Sequence, residues 1–157
     1  MCGAALHITP IRVASLAAAL LLAIGLQAPL AQPADRDVAA APTVAYASRL
    51  LAAINGYRVE HGLVPLRKSD KLDMLADNHR RNMAQANRLS HERFRERQAR
   101  AASPICVENV GWNYGTPDAQ LKGWIDSPSH NGNLLDGRIT QAGVGEASGY
   151  VTFIACL

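Results

Sequence analysis

The sequence lacks the common signatures of several enzyme classes. No P-loop is present, and no Gly-x-Gly-x-x-Gly follows a strand-like run, which disfavours a nucleotide enzyme. There is no His-Glu-x-x-His, so no zincin-type metal helix is encoded. Nothing like Gly-x-Ser-x-Gly surrounds Ser127, which argues against a serine hydrolase elbow built from Ser127, His130 and Glu108. Strong charge of one sign is also missing. The net charge of +3 falls to +2 without the first 33 residues, because Arg12 goes with them, so the basic pI is no argument for nucleic-acid binding. At 157 residues the chain suits one domain rather than a two-domain enzyme.

What is present begins with an export-like N-terminus. Arg12 precedes an apolar stretch, Val13–Leu26, followed by small residues, the order of a secretory signal. The stretch is shorter than the roughly 20 residues of a membrane span. Residues 1–33 are read as a signal peptide, with an uncleaved anchor as the alternative, and residues 34–45 as a linker. Cys2 lies ahead of the apolar core, where no lipobox can use it. Cleavage leaves Cys106 and Cys156. An even pair in an oxidising compartment suggests one disulfide, and two buried thiols are the alternative. The bond would close a loop of about 50 residues and contribute about 2–4 kcal/mol.

Apolar periodicity predicts a helix from about Tyr46 to His61, stopped by Gly62, then a short extended stretch over Gly62–Leu66. A second helix is expected from the N-cap Ser69 to about Asn87, with Leu72, Leu75, Ala76, His79 and Met83 as its apolar stripe. His79 reads there as a satisfied core histidine. Residues 80–100 hold seven Arg against Glu92 and Glu96. They read as a solvated helix or loop with Glu92–Arg95 and Glu96–Arg100 pairs, the alternative being a contact with an anionic surface or polymer. Thr116 and Pro117 open a further helix as N-cap and N1. Ala142–Ala147 and Tyr150–Cys156 read as a terminal hairpin around Ser148-Gly149.

Several segments together resemble the CAP superfamily, also called SCP-like, in its compact bacterial branch. They are Leu51–Arg58, Gly62–Leu66, Leu75-Ala76 with His79 and Met83, Ser90-His91, Glu108-Asn109, Trp124–His130, Asn133–Leu135 and Gly143–Gly145. They occur in family order over roughly residues 46–157. The resemblance implies an α+β fold, a three-layer α-β-α sandwich with a small central antiparallel sheet. It also implies a cleft with two His and two Glu. His91, Glu108 and His130 match three of these, while Ser127 stands where the second Glu would fall. Val107 and Asn131 replace the family's Gly and the Arg usual in bacterial members.

A neutral imidazole pair with a carboxylate can bind Zn²⁺ or another divalent cation, so His91, His130 and Glu108 form the candidate metal set. The spacings of 17 and 22 residues are no metal motif, and that set rests on the resemblance. No cofactor is required. Each residue also has a structural alternative: His91 and His130 as local hydrogen-bonding groups, Glu108 as half of a buried His–Glu pair, Ser127 as an N-cap. Asn109 is expected to orient its loop through local backbone bonds. The expected protein is an exported monomer that binds a small apolar, lipid-like or envelope ligand. The alternatives are a metal-assisted hydrolase using the same cluster and an interaction protein without cleft chemistry.

Overall fold

The structure, a computed structural model, describes residues 40–157. The expected signal peptide and the first part of the expected linker lie outside these residues. Helix α1 spans Ala40–Glu60, so it takes in residues 40–45 that the sequence reading gave to the linker. The alanines of this stretch favour helix, and Pro42 falls in the first turn, where proline is tolerated. The chain turns at Gly62, whose φ of 73° suits glycine, and reaches a two-residue strand β1 at Arg67–Lys68.

Helix α2 runs Asp70–Ala86 between the two caps expected for it. Ser69 accepts a hydrogen bond from Leu72 N at 3.4 Å, and Asn87 closes the helix in the left-handed conformation. Helix α3 (Phe94–Ala101), strand β2 (Cys106–Trp112), helices α4 (Pro117–Ile125) and α5 (Pro128–Leu134), and strands β3 (Gln141–Ala147) and β4 (Tyr150–Cys156) follow. Thr116 caps α4 by accepting from Ala119 N at 3.2 Å, with Pro117 in the first turn.

The four strands form one sheet in the order β1-β3-β4-β2. The three long strands are antiparallel, as expected. β1 adds a short parallel rung, Arg67 opposite Gln141 and Lys68 opposite Ala142, which makes the sheet mixed. Cys106 and Cys156 face each other across β2 and β4 and are joined as a disulfide, with Cα atoms 4.1 Å apart.

Alternation along β4 divides the core. Val151, Phe153 and Ala155 face α1, α4 and α5, packing with Leu50, Leu51, Ile54, Trp124 and Leu134. Ile154 and Cys156 face α2, against Leu72, Leu75 and Ala76, while Tyr150 meets Met83 and Val110. This is the three-layer sandwich. Gly143 and Gly145 let α2 lie directly on β3: a Cβ on Gly145 would stand 2.7 Å from Asp77 N, and one on Gly143 would collide with the backbone of Leu72 and Asp73.

The site depends on β2 being an edge strand. Its outward carbonyls are not left open. Asn133 Nδ2 donates to Glu108 O at 3.1 Å and Trp124 Nε1 donates to Val110 O at 2.9 Å. Helices α4 and α5 therefore cover the edge where the candidate residues meet.

Candidate functional site

Glu108 lies mid-strand on β2, on the face toward α2 and α3, and is buried. A carboxylate removed from water needs partners. Arg97 supplies most of them: Nε donates to Oε2 at 2.6 Å and Nη2 to Oε1 at 2.7 Å, a bidentate pair. Arg97 is itself buried and anchors its remaining arm on Glu92 O at 2.8 Å. Burial pushes the Glu108 carboxyl upward, but the hydrogen bonds from His91 and Arg97 and the charge of Arg97 outweigh it, so its pKa lies below the usual value.

His91, in the turn before α3, places Nδ1 3.0 Å from Glu108 Oε1. An ionised carboxylate only accepts, so Nδ1 of His91 carries a proton and donates it to Glu108. The side chain is half exposed. His130 comes from α5 on the other side of the β2 edge, with its ring centroid 6.2 Å from that of His91. Burial and the neighbouring His91 hold the His130 pKa below its usual value.

His79, on α2, is buried behind the pair. Its Nε2 donates to Ser90 O at 2.7 Å and stands 3.8 Å from Glu108 Oε1. Burial lowers its pKa despite the nearby carboxylate. It is the satisfied core histidine the sequence suggested, and it abuts the site.

Ser127 takes the N-cap position of α5 but makes no side-chain cap hydrogen bond. No hydrogen bond joins it to His91, Glu108 or His130 among the described residues, and the arrangement of a serine triad is not formed. Asn109 departs from its expected local role. It reaches across to α5, donating to His130 O at 3.0 Å and accepting from Asn133 Nδ2 at 2.9 Å. Asn109 and Asn133 thus set where α5 holds His130.

The trio of candidate metal ligands is not assembled as a ligand set. Among the described residues no group of three His, Cys, Asp or Glu side chains is arranged to hold a metal ion. Arg97 instead donates to both oxygens of Glu108. The arrangement leaves two neighbouring imidazoles, His91 and His130, with Glu108 orienting His91 through its Nδ1, as a carboxylate does behind a ligating imidazole.

The expected Glu92–Arg95 and Glu96–Arg100 pairs are replaced by others. Glu92 pairs with Arg88 at 2.5 Å and Glu96 with Arg93 at 2.5 Å. Helix α3 begins only at Phe94, so Glu92 has no helical face to share with Arg95. Arg97 was missed as a site residue because it sits in a run of seven arginines. One signal marked it out: Phe94 and Ala101 pack against the α2-side core, and Arg97 lies between them on the same helical face. A cavity of about 260 Å³ adjoins the cluster, with His79, Met83, Ser90, Arg93 and Arg97 in its walls. His91 and His130 are not among its lining residues.

The model of CAP, the cysteine-rich secretory protein family, matches residues 51–156. The chain belongs to the CAP family. A Bacillus subtilis (strain 168) relative, the uncharacterized membrane protein YlbC, is 29% identical over 111 residues, 66% of this chain and 32% of the relative. The chain therefore spans about a third of that relative's length. Among solved structures, an extracellular SCP-domain protein of Bacillus anthracis str. Ames superposes with a TM-score of 0.73 at 23% identity, covering 80% of this chain and 44% of the other. A cysteine-rich secretory protein of Staphylococcus aureus subsp. aureus Mu50 gives 0.67 at 18% identity, covering 79% and 40%. An outer surface protein of Borrelia burgdorferi gives 0.60 at 17%, covering 69% and 87%. These likenesses carry the CAP fold.

Proposed function

We propose that this CAP-family chain is an exported binding module, taking a small apolar, lipid-like or envelope ligand at the cleft between His91 and His130. The observation that carries this reading is the bidentate Arg97–Glu108 pair. A general base must offer a lone pair to the proton it abstracts. Glu108 is buried and accepts two bonds from Arg97 and one from His91, which hold its pKa low and make it a weak base, and Ser127 stands where the resemblance expects the second carboxylate. What remains is a pair of imidazoles near a cavity whose walls mix Met83 and Ala86 with Asn82, Arg88, Glu92 and Arg93. Such a surface suits recognition rather than hydrolysis. A metal, when bound, would be held by His91 and His130 and is not required.

Export is supported by the signal-like N-terminus and the Cys106–Cys156 disulfide. The related folds named above as extracellular or outer-surface proteins agree with it. No helix among the described residues is long and apolar enough to cross a membrane.

The test is ligand extraction. The oxidised protein is incubated with bacterial envelope lipids, re-isolated, and its bound material identified by mass spectrometry, beside a His91→Ala/His130→Ala variant. The expected result is a bound apolar species retained by the parent protein and lost from the variant. An empty parent protein, or a Zn²⁺-dependent hydrolytic activity abolished by Glu108→Gln, would overturn the reading.

A further inference from the structure

The sheet has a second edge, at β3, on the far side from the β2 edge where His91 and His130 meet. β1 pairs with β3 only at Gln141 and Ala142, so the rest of β3 has no strand outside it among the described residues. Arg67 N and Ser69 N donate to Thr140 O and Ala142 O, and these bonds mark the outward side of β3. Two and four residues further on, Val144 and Glu146 turn their main-chain groups to that same side. Asp73 Oδ1 accepts from Val144 N at 2.9 Å. Val144 O, Glu146 N and Glu146 O have no partner among the described residues. Val144 is buried, and a buried carbonyl ordinarily finds a partner.

This open stretch is the floor of a groove between α1 and α2. A cavity of about 400 Å³ lies there, with Ala47, Ser48 and Leu51 of α1 on one wall and Asp73, Met74 and Asp77 of α2 on the other. Met74 is apolar, yet 54% exposed. Two of the groove's carboxylates are already paired, Asp73 with Lys68 at 2.7 Å and Asp77 with Arg80 and Arg81. Glu146, half-buried on the strand itself, has no cationic partner among the described residues.

We propose that β3 is a docking edge for an extended, basic peptide segment of another protein, which adds as a strand beside Val144–Glu146. A peptide main chain carries donors and acceptors at the repeat of a strand edge, and the unpaired groups of Val144 and Glu146 match it. Successive side chains of the added strand turn to the two walls of the groove. Leu51 and Met74 suit apolar ones, and Glu146 suits a Lys or Arg. A second copy of this chain fits less well, because two β3 edges would bring their Glu146 side chains together. The groove shares no residue with the histidine cleft, so it stands or falls independently of the function proposed there.

The test uses the peptide acetyl-Lys-Val-Lys-Val-Lys-amide, its counterpart with Glu for Lys, and a basic copy N-methylated throughout. Each is titrated against the oxidised protein by amide NMR. In the free protein the Glu146 amide should exchange readily with solvent, since it has no acceptor. The basic peptide is expected to shift the amides of Val144, Gly145 and Glu146 and to slow exchange at Glu146. It should bind at least about tenfold more tightly than the acidic one, and the N-methylated copy should not saturate. Glu146→Pro removes the outward N–H at an edge position, where proline is tolerated. Ser48→Arg fills the groove from an exposed position on α1. Each is expected to weaken the basic peptide at least about fivefold. Glu146→Gln keeps the N–H and should cut the preference for the basic peptide to below about threefold. A Glu146 amide already protected in the free protein, by its own chain or by a second copy, would overturn the proposal. So would equal binding of the basic and acidic peptides, shifts confined to other parts of the protein, or no saturable binding at millimolar peptide.

Discussion

Replacing Arg97 with methionine tests how the site is held together. The change keeps an apolar stem between Phe94 and Ala101 but removes both bonds to Glu108, at 2.6 and 2.7 Å. It leaves a buried carboxylate with His91 as its one remaining strong donor. Breaking a buried pair by deleting one partner costs about 3–5 kcal/mol, because the stranded charge loses its compensation. The pH dependence gives the sign. In the parent protein the Glu108 pKa is depressed, so Glu108 contributes stability above its unfolded pKa, and that contribution is lost as pH falls through the folded value. In the variant, burial persists and the compensating charge is gone, so the folded pKa moves up. The variant is then penalised most at neutral pH, and the penalty shrinks as Glu108 protonates in acid. The assay is urea unfolding of the oxidised parent, Arg97→Met, Glu108→Leu and the double variant, at pH 7 and pH 4. The double variant should recover most of the loss, since an apolar pair replaces the ion pair. A loss below about 1 kcal/mol for Arg97→Met, or one that does not change with pH, would refute the reasoning.

Reducing the Cys106–Cys156 bond should lower stability by about 2–4 kcal/mol, read as the difference between oxidised and reduced unfolding midpoints. Gly143→Ala should disrupt the packing of α2 on β3, since a Cβ there meets the backbone of Leu72 and Asp73; a loss of at least about 1–3 kcal/mol in urea unfolding checks it. Asn133→Ala leaves Asn109 Oδ1 and Glu108 O without their donor, so a loss of about 1–3 kcal/mol and a shifted His130 resonance are expected by unfolding and NMR. Burial holds the His79 pKa below 6.5, so the unfolded state takes up the proton first and stability falls as pH drops below about 6.5. A His79→Gln variant should show a flatter pH–stability curve over that range.

Local chemistry made much of the fold readable. Ser69 and Asn87 bracket α2 because one supplies a cap acceptor and the other tolerates a left-handed turn. Thr116-Pro117 opens α4 for the same kind of reason. The disulfide partners are the two cysteines that the expected signal cleavage would leave, and the sheet puts them directly opposite one another. β1 was less legible: two residues are too few to carry alternation, and their parallel partner lies more than seventy positions away. Arg97 shows a different limit. Its charge made it look like part of a solvated run, and only the pattern of Phe94 and Ala101 on either side of it hints at an inward face. Asn109 looked like a local loop residue because nothing in its own segment reveals that α5 lies across from it. The cleft positions His91, Glu108 and His130 came from the family resemblance, and what they do depends on an arginine that the resemblance did not mention.

The central claim is that Glu108 is a paired, ionised anion and not a base poised for hydrolysis. Its carboxyl carbon can be followed by ¹³C NMR through a pH titration of the oxidised protein. The account predicts a midpoint below the ordinary glutamate value of 4.5, with the His91 ring protonated on Nδ1 at pH 7. A midpoint near neutrality, or a His91 ring protonated on Nε2 instead, would contradict it and return Glu108 to the role of general base.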